Sequence, residues 1–353
     1  MYKITATTYL AGKRGNKPLR HCIAIVCVLS CQGQCFVLPQ IQKMFVDSIM
    51  TNIMNCKFDS AINQSALLIE KEKTDPIGMV MRMSTLAFSD LDYAHPPDTI
   101  QFFELYKKTE SKILAYEANG GVNSYSSTLK GFSKAILACY DLWHKDYLPG
   151  LNIGFSALDN LKEAKKNDNE NYDAEFFIGL YNYARADMKK MFWWAFFWYP
   201  GDKQAGIKSI SLCTKNGQIV KPVALLVLAE LSIREKKFPE ALTLINDLET
   251  MYPKSRFVKW THAKYFESQK QDIDAARMYG SLANEYYGCP KAIRNELAAR
   301  LKEANLYFEA NDFKNSKIAA EKLVANKNKY DDSIIKQMVK DAEKVLDKIK
   351  IKG

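Results

Sequence analysis

The residues best suited to catalysis are four histidines, His21, His95, His144 and His262, and eight cysteines. Acid–base or nucleophilic chemistry needs such groups converging with a carboxylate or hydroxyl at hydrogen-bond range, and metal binding needs Cys or His at short spacing. Neither pattern is present. The histidines stand far apart, and Cys22, Cys27, Cys31 and Cys35 crowd the N-terminus while Cys56, Cys139, Cys213 and Cys289 are isolated. Outside the first stretch no Cys-x-x-Cys or Cys/His pair has metal-ligand spacing, so the last four cysteines read as buried small apolar residues. There is no Gly-x-Ser-x-Gly elbow, phosphate-binding loop, His-Glu-x-x-His or glycine-rich fingerprint. Carboxylates are plentiful, as in Asp168-Asn169-Glu170, but in loops or on solvated faces, where charge is the default. The expectation is a protein without catalytic activity, metal or cofactor; an enzyme would need carboxylates assembled from distant helices.

The N-terminus carries a different signal. The formal charge is +10, but Lys3, Lys13, Arg14, Lys17 and Arg20 precede the first apolar run, and without them +5 remains. That remainder is weak support for a nucleic-acid partner. The run Cys22 to Ser30 follows this basic stretch in the layout of a secretory signal, and it is shorter than the ~20 apolar residues of a membrane-spanning helix. A buried first helix is the competing reading. Two processing sites compete as well: Val28-Leu29-Ser30-Cys31 loosely resembles a bacterial lipobox, which would lipidate Cys31, and the small residues near Gly33 suit ordinary cleavage. The expected location is the periplasm or outer membrane of a Gram-negative-type bacterium.

What would position any binding residues is a chain of helices. From Gln40 onward there is no sustained strand-like alternation and no Asn-Gly hairpin signal, but many amphipathic stretches of helical period. Between Val220 and Pro253, Leu225, Leu228, Ala229 and Leu231 form one apolar stripe, and Ala241, Leu244, Ile245 and Leu248 form the next. Lys236-Lys237 closes the first helix and Phe238-Pro239-Glu240 opens the second. Two such helices make a hairpin that cannot bury both faces alone.

The arrangement recurs 34 residues on: Ala229 maps to Ala263, Ala241 to Ala275, Ile245 to Tyr279 and Leu248 to Leu282. A third copy, with an insertion around Cys289-Pro290, gives Ala304, Tyr307, Phe313, Ser316, Ala320 and Leu323. This pattern of small residue, aromatic, aromatic-acidic-x-Ala and terminal Pro resembles the tetratricopeptide repeat, of an exported bacterial type. Weaker copies lie upstream, with Lys57 to Ile62 opening a second repeat helix that Asp75-Pro76 closes, and Gly131 and Gly179 where a small residue belongs. The resemblance implies an all-α, right-handed solenoid of about seven antiparallel helix pairs. Its divisions are a leader over 1–33, divergent helical repeats over 34–219, tetratricopeptide-like repeats over 220–329 and a C-terminal capping helix over 330–353. The cap carries Ile334, Ile335, Met338, Val339, Ala342, Val345, Leu346 and Ile349 on one face, and polar residues must cover a solenoid's end.

One segment departs from the repeat pattern. The aromatic run 191–199 precedes Pro200-Gly201-Asp202, where Asp202 would cap the helix carrying Ile207, Ile210 and Leu212. A Pro-Gly-Asp insertion of this kind is similar to one in a group of exported bacterial repeat proteins. The aromatics either pack beneath a loop or form an exposed patch for a partner or membrane surface. Peripheral membrane attachment through this run or a lipidated N-terminus is therefore one expectation.

The resemblance also implies where a partner would dock. In that family the first helices line a concave surface. Starting repeats at Tyr172, Pro222, Arg256 and Leu297 places Phe176, Tyr183, Glu230, Arg234, Trp260, Lys264, Glu267 and Asn305 on it. Arg234 and Lys264 would take a carboxylate and Trp260 would be the apolar anchor for a protein or peptide. The basic and aromatic stretch Arg256 to Trp260 is compatible with nucleic-acid stacking, but an exported helix facing core or groove accounts for it without nucleic acid. Three functions remain: a cell-envelope adaptor, for which the Met251-Tyr-Pro-Lys-Ser255 junction is similar to those of envelope repeat lipoproteins; a structural spacer; or an enzyme with an unrecognised site. Partner identity and oligomeric state are left open.

Overall fold

Alanines at a fixed period decide how the helices of this chain meet. The structure, a computed structural model, describes residues 36–94, 99–144, 146–191, 202–327 and 329–352. Residues 1–35, with Cys22, Cys27, Cys31 and Cys35 and the expected leader, and the aromatic run beyond Met191 lie outside the described residues. Within them the chain is all-α: α1 (Gln40–Met54), α2 (Phe58–Lys71), α3 (Ile77–Tyr93), α4 (Thr99–Gly120), α5 (Ser124–Trp143), α6 (Tyr147–Asn167), α7 (Tyr172–Met191), α8 (Lys203–Asn216), α9 (Lys221–Arg234), α10 (Phe238–Met251), α11 (Arg256–Ser268), α12 (Asp272–Tyr286), α13 (Ile293–Glu309), α14 (Phe313–Val324) and α15 (Ser333–Lys352). These are seven successive pairs and a last helix, each packed on its chain neighbours, which is a solenoid of antiparallel hairpins. Helix α15 packs on both helices of the final pair through Ile335, Val339, Ala342 and Val345.

The repeat register holds in the packing. Ala229, Ala241, Ala263, Ala275 and Ala304 are all fully buried, as are Ile245, Leu248, Leu282, Ser316, Ala320 and Leu323. A methyl group at these sites lets two helix backbones approach, and the larger residues a turn away fill the space beside them. The slot in α10 filled by Ala241, Ile245 and Leu248 is filled in α2 by Ala61, Ser65 and Leu68, also buried, so the first hairpin follows the same scheme. Glycine takes the place of alanine where the approach is closest. A Cβ on Gly131 would lie 2.5 Å from the Leu161 side chain, and one on Gly179 would lie 3.0 Å from the Gly206 carbonyl oxygen.

The hairpin turns share a backbone device. Cys56, Lys236, Lys270 and Asn311 follow first helices and have left-handed φ values of 56–60°. In each turn the next residue, Lys57, Lys237, Gln271 or Asp312, donates its N–H to a carbonyl five residues back, at 2.8–3.0 Å. This closes the helix end by satisfying a carbonyl that has no intrahelical donor. Helix starts are equally specific: the carboxylates of Asp202 and Asp312 and the hydroxyl of Ser255 accept from backbone N–H groups three residues on. Asp75-Pro76 does not close α2, which ends at Lys71; Asp75 instead accepts from the Ile77 N–H at the start of α3.

The array also turns back on itself, which the repeat pattern did not indicate. Helix α1 packs against α9, and α3 packs against α13 and the short 3-10 turn Pro290–Ala292. At the end of α3 the side chain of Asp92 is fully buried. It receives the Arg256 guanidinium (Nε at 3.1 Å from each carboxylate oxygen, with Nη2 donating as well) and the Tyr286 hydroxyl at 2.9 Å. Asn295 donates to the Asp92 carbonyl at 2.7 Å and Arg294 to that of Ala94 at 3.3 Å. Ahead of α1, the Leu38 N–H donates to Gln218 (2.8 Å), and the Phe36 N–H donates to Asp168. Asp168 is thus a buried loop anchor and not a solvated charge. Of the four cysteines, Cys213 is buried as expected, but Cys139 sits exposed on α5, and Cys56 and Cys289 are half-buried at turns.

Candidate functional site

The first helices α9, α11 and α13 are joined to one another by ion pairs one repeat apart. Lys264 lies 3.0 Å from both carboxylate oxygens of Glu230, to which the Thr261 hydroxyl also donates at 2.7 Å. Lys302 on α13 lies 2.7 Å from Glu267 on α11, and the Tyr279 hydroxyl donates to the same carboxylate at 2.8 Å. Burial, and then the Glu267 charge, push the Tyr279 phenol well above its usual range, so it stays a donor. These pairs are half-exposed, where each contributes ~0–1 kcal/mol. Their main effect is register and neutrality.

Between α11 and α13 the Glu267–Lys302 pair lines a groove of about 640 Å³, to which Met338 of α15 also contributes. Trp260, Glu267 and Asn305 border it, together with Leu301 and Lys302. The Trp260 ring is half-buried, edge-on to Tyr279 at 5.4 Å between centroids, and its Nε1–H donates to the Tyr286 hydroxyl at 3.1 Å. Since Tyr286 in turn donates to Asp92, the indole is held by a chain of hydrogen bonds reaching the buried carboxylate. A pre-set aromatic face loses little freedom when a ligand covers it. Asn305 is exposed and donates to Leu301 O of its own helix at 2.9 Å.

The other expected contact residues lie elsewhere. Phe176 and Tyr183 are only 2% and 3% exposed. Phe176 packs in the largest core cluster, so it has no surface for a partner. The Tyr183 hydroxyl donates to Glu235 at 2.7 Å, and the Arg234 guanidinium lies 5.6 Å over its ring. Glu230 and Lys264 neutralise each other beside the groove, so a ligand carboxylate at Lys264 would have to compete with Glu230. Lys302, Leu301 and Met338 are groove residues that sequence reasoning missed. Glu230 to Lys264 is one period and Glu267 to Lys302 nearly so; opposite charges at repeat spacing were the signal.

Other chemistry is sparse. Among the described residues no three His, Cys, Asp or Glu side chains are grouped to hold a metal ion. His262 Nδ1 lies 2.7 Å from Glu249 and its ring stacks on Phe266, a structural role. No helix among the described residues is long and apolar enough to cross a membrane.

Fold and groove together define an all-helical repeat protein, a solenoid of antiparallel helix pairs. No family model matches the chain, and no curated protein matches it. Solved structures to which it is similar include yeast Tom70, at 12% identity over 88% of this chain and 83% of that one, with a TM-score of 0.34. Another is the tetratricopeptide domain of P58(IPK), at 11% identity over 87% and 98% of the two chains, with a TM-score of 0.26.

Proposed function

We propose that this chain is a non-catalytic scaffold of the cell envelope that holds a segment of a protein partner in the groove between α11 and α13. The observation that carries the reading is the groove itself: an apolar floor of Leu301, Met338 and the Trp260 ring, bordered by charges of both signs. An extended or helical peptide would cover the indole and exchange hydrogen bonds with Glu267, Lys302 and Asn305, the usual division between an aromatic anchor and a polar rim. The fold-back of α1 and α3 onto α9 and α13 speaks against a simple spacer, which gains nothing from closing its array. Export rests on the basic and apolar layout of residues 1–33 and is tested by N-terminal sequencing of protein from native cells. An intact Met1 on correctly localised protein sinks that part.

The binding reading is tested by placing a photo-crosslinking residue at Asn305 and, as a control, at the exposed Lys314, then irradiating native envelopes. A discrete adduct at 305 that the Trp260→Ala variant loses is the expected result. Equal labelling at both positions, or none at 305, refutes a groove ligand.

A further inference from the structure

A second cavity, of about 650 Å³, lies where the loop after α12 meets α13, the end of α14 and the loop that follows it. This repeat is longer than its neighbours: the left-handed turn residues Lys236 and Lys270 are one period apart, but Asn311 comes later, and the extra residues lie in the 3-10 turn Pro290–Ala292 and in the longer helix α13. Gly288, at φ +82°, bends the loop after α12 outward and leaves the Tyr287 ring 78% exposed at the rim.

Three of the four charged residues lining this cavity, Glu296, Lys322 and Lys329, have no ion-pair partner among the described residues; the fourth, Arg300, pairs with Glu303. Glu296 is only 8% exposed, yet among the described residues it has neither hydrogen bond nor ion pair. Burial raises its carboxyl pKa, and the charge of Arg300 offsets part of that shift. Arg300 cannot be its partner in full, because Nη1 donates to Glu303 at 2.8 Å and Nη2 to Asn284 at 2.7 Å. Across the cavity Lys322 and Lys329 also lack a carboxylate among the described residues, although Lys327 between them pairs with Glu343 at 2.6 Å. The carboxylate oxygens of Glu296 open onto the cavity, where a ligand cation can reach them. Lys322, Lys329 and Glu296 share the cavity with the already paired Arg300 but do not meet one another.

We propose that this cavity binds a small zwitterion, an amino acid or short peptide, whose ammonium group pairs with Glu296 and whose carboxylate reaches Lys322 and Lys329. The apolar part of the ligand lies against Tyr287, Ile293 and Tyr330, which line the same space. The volume falls within the ~300–1,000 Å³ of small-molecule sites and accommodates a residue or two. This site is separate from the groove between α11 and α13.

The test is calorimetric titration of the full chain with L-phenylalanine and glycyl-L-phenylalanine, then with N-acetyl-phenylalanine and phenylalanine amide. At least one of the two zwitterions should bind with Kd at or below about 1 mM. Acetylation should weaken binding tenfold or more in the wild type but cause no further loss in Glu296→Gln. Amidation should behave in the same way toward the Lys322→Ala/Lys329→Ala variant. No binding of either zwitterion up to about 10 mM, well above the range of such sites, overturns the proposal. So does binding of either the acetylated or the amidated probe as tight as that of the parent zwitterion. Because that comparison is made on the unaltered protein, it decides the matter even if Glu296→Gln fails to fold.

Discussion

Removing the charge of Asp92 should loosen the N-terminal helices from the C-terminal repeats. Its carboxylate is fully buried and the Arg256 side chain is 17% exposed. Breaking a buried pair from one side costs ~3–5 kcal/mol, because the partner charge is left without compensation. In Asp92→Asn the orphan is Arg256, which can partly rehydrate, so we expect about 3 kcal/mol, the lower end of that range. In Arg256→Met the orphan is the carboxylate itself, with the Tyr286 hydroxyl and the Cys56 thiol as its remaining side-chain donors, so the loss should be about 4 kcal/mol. Removing both charges leaves no orphan, and the double variant should recover at least ~2 kcal/mol relative to the sum of the singles. Urea unfolding followed by circular dichroism supplies the three energies. Hydrogen exchange should quicken in α1–α3 and stay slow in α14 and α15. If the two losses add within ~0.5 kcal/mol, the pair is not coupled and the tethering argument fails.

Other outcomes follow from the same packing. Ala241→Leu and Ala275→Leu each force a methylene cluster into a fully buried inter-helix contact and should cost ~1–3 kcal/mol in chemical denaturation; unaltered midpoints would put the repeat register in error. Lys236→Gly and Lys270→Gly relieve a left-handed residue at φ 60°, and after the entropy lost by glycine each should gain up to ~1 kcal/mol, read as a higher Tm. Trp260→Ala should weaken partner binding by ~2 kcal/mol; unchanged affinity with a large loss of stability would make the indole a core residue only. Burial pushes the Cys56 and Cys213 thiols from 9.0 up to about 12. The unfolded chain therefore loses these protons first, and the stability each thiol contributes is complete below pH 9 and falls as pH rises toward 12. Cys56→Ala should flatten that decline, and alkylation of the native protein near pH 8 should reach the exposed Cys139 well before Cys213.

Much of the fold was legible because period and residue size carry it. Ala229, Ala263 and Ala304 announce close helix contacts by being small where leucine would otherwise stand, and each is buried there. The shared turn geometry was not legible: a left-handed helix end usually shows as glycine, but here the position is held by Cys56, Lys236, Lys270 and Asn311, whose identities have nothing in common. Phe176 was assigned to the surface by counting positions from Tyr172. That count assumes a helix of consensus length, whereas α7 runs twenty residues and lies close on α8 at Gly179 and Gly206, with Phe176 buried. The partnership of Asp92 with Arg256 had no signal, since it spans 164 residues and repeats nowhere. Nothing in its sequence surroundings distinguishes the buried Glu296 from any helix-face carboxylate, because the loop packed beside it is set by tertiary structure.

Such a long-range closure sets the order in which the protein can finish folding. In an open repeat array each hairpin can settle on the one just made, so structure grows outward from any start. Here α3 has part of its docking surface only after α11 and α13 exist. At ~5–20 residues per second of synthesis, the 164 residues between Asp92 and Arg256 take about 10–30 s to emerge. For that interval the carboxylate of Asp92 and the apolar faces around it stand in water without their later partners. The part of the chain holding α3 is therefore among the last to be completed although it is made early, and a chaperone would have that time to act on it.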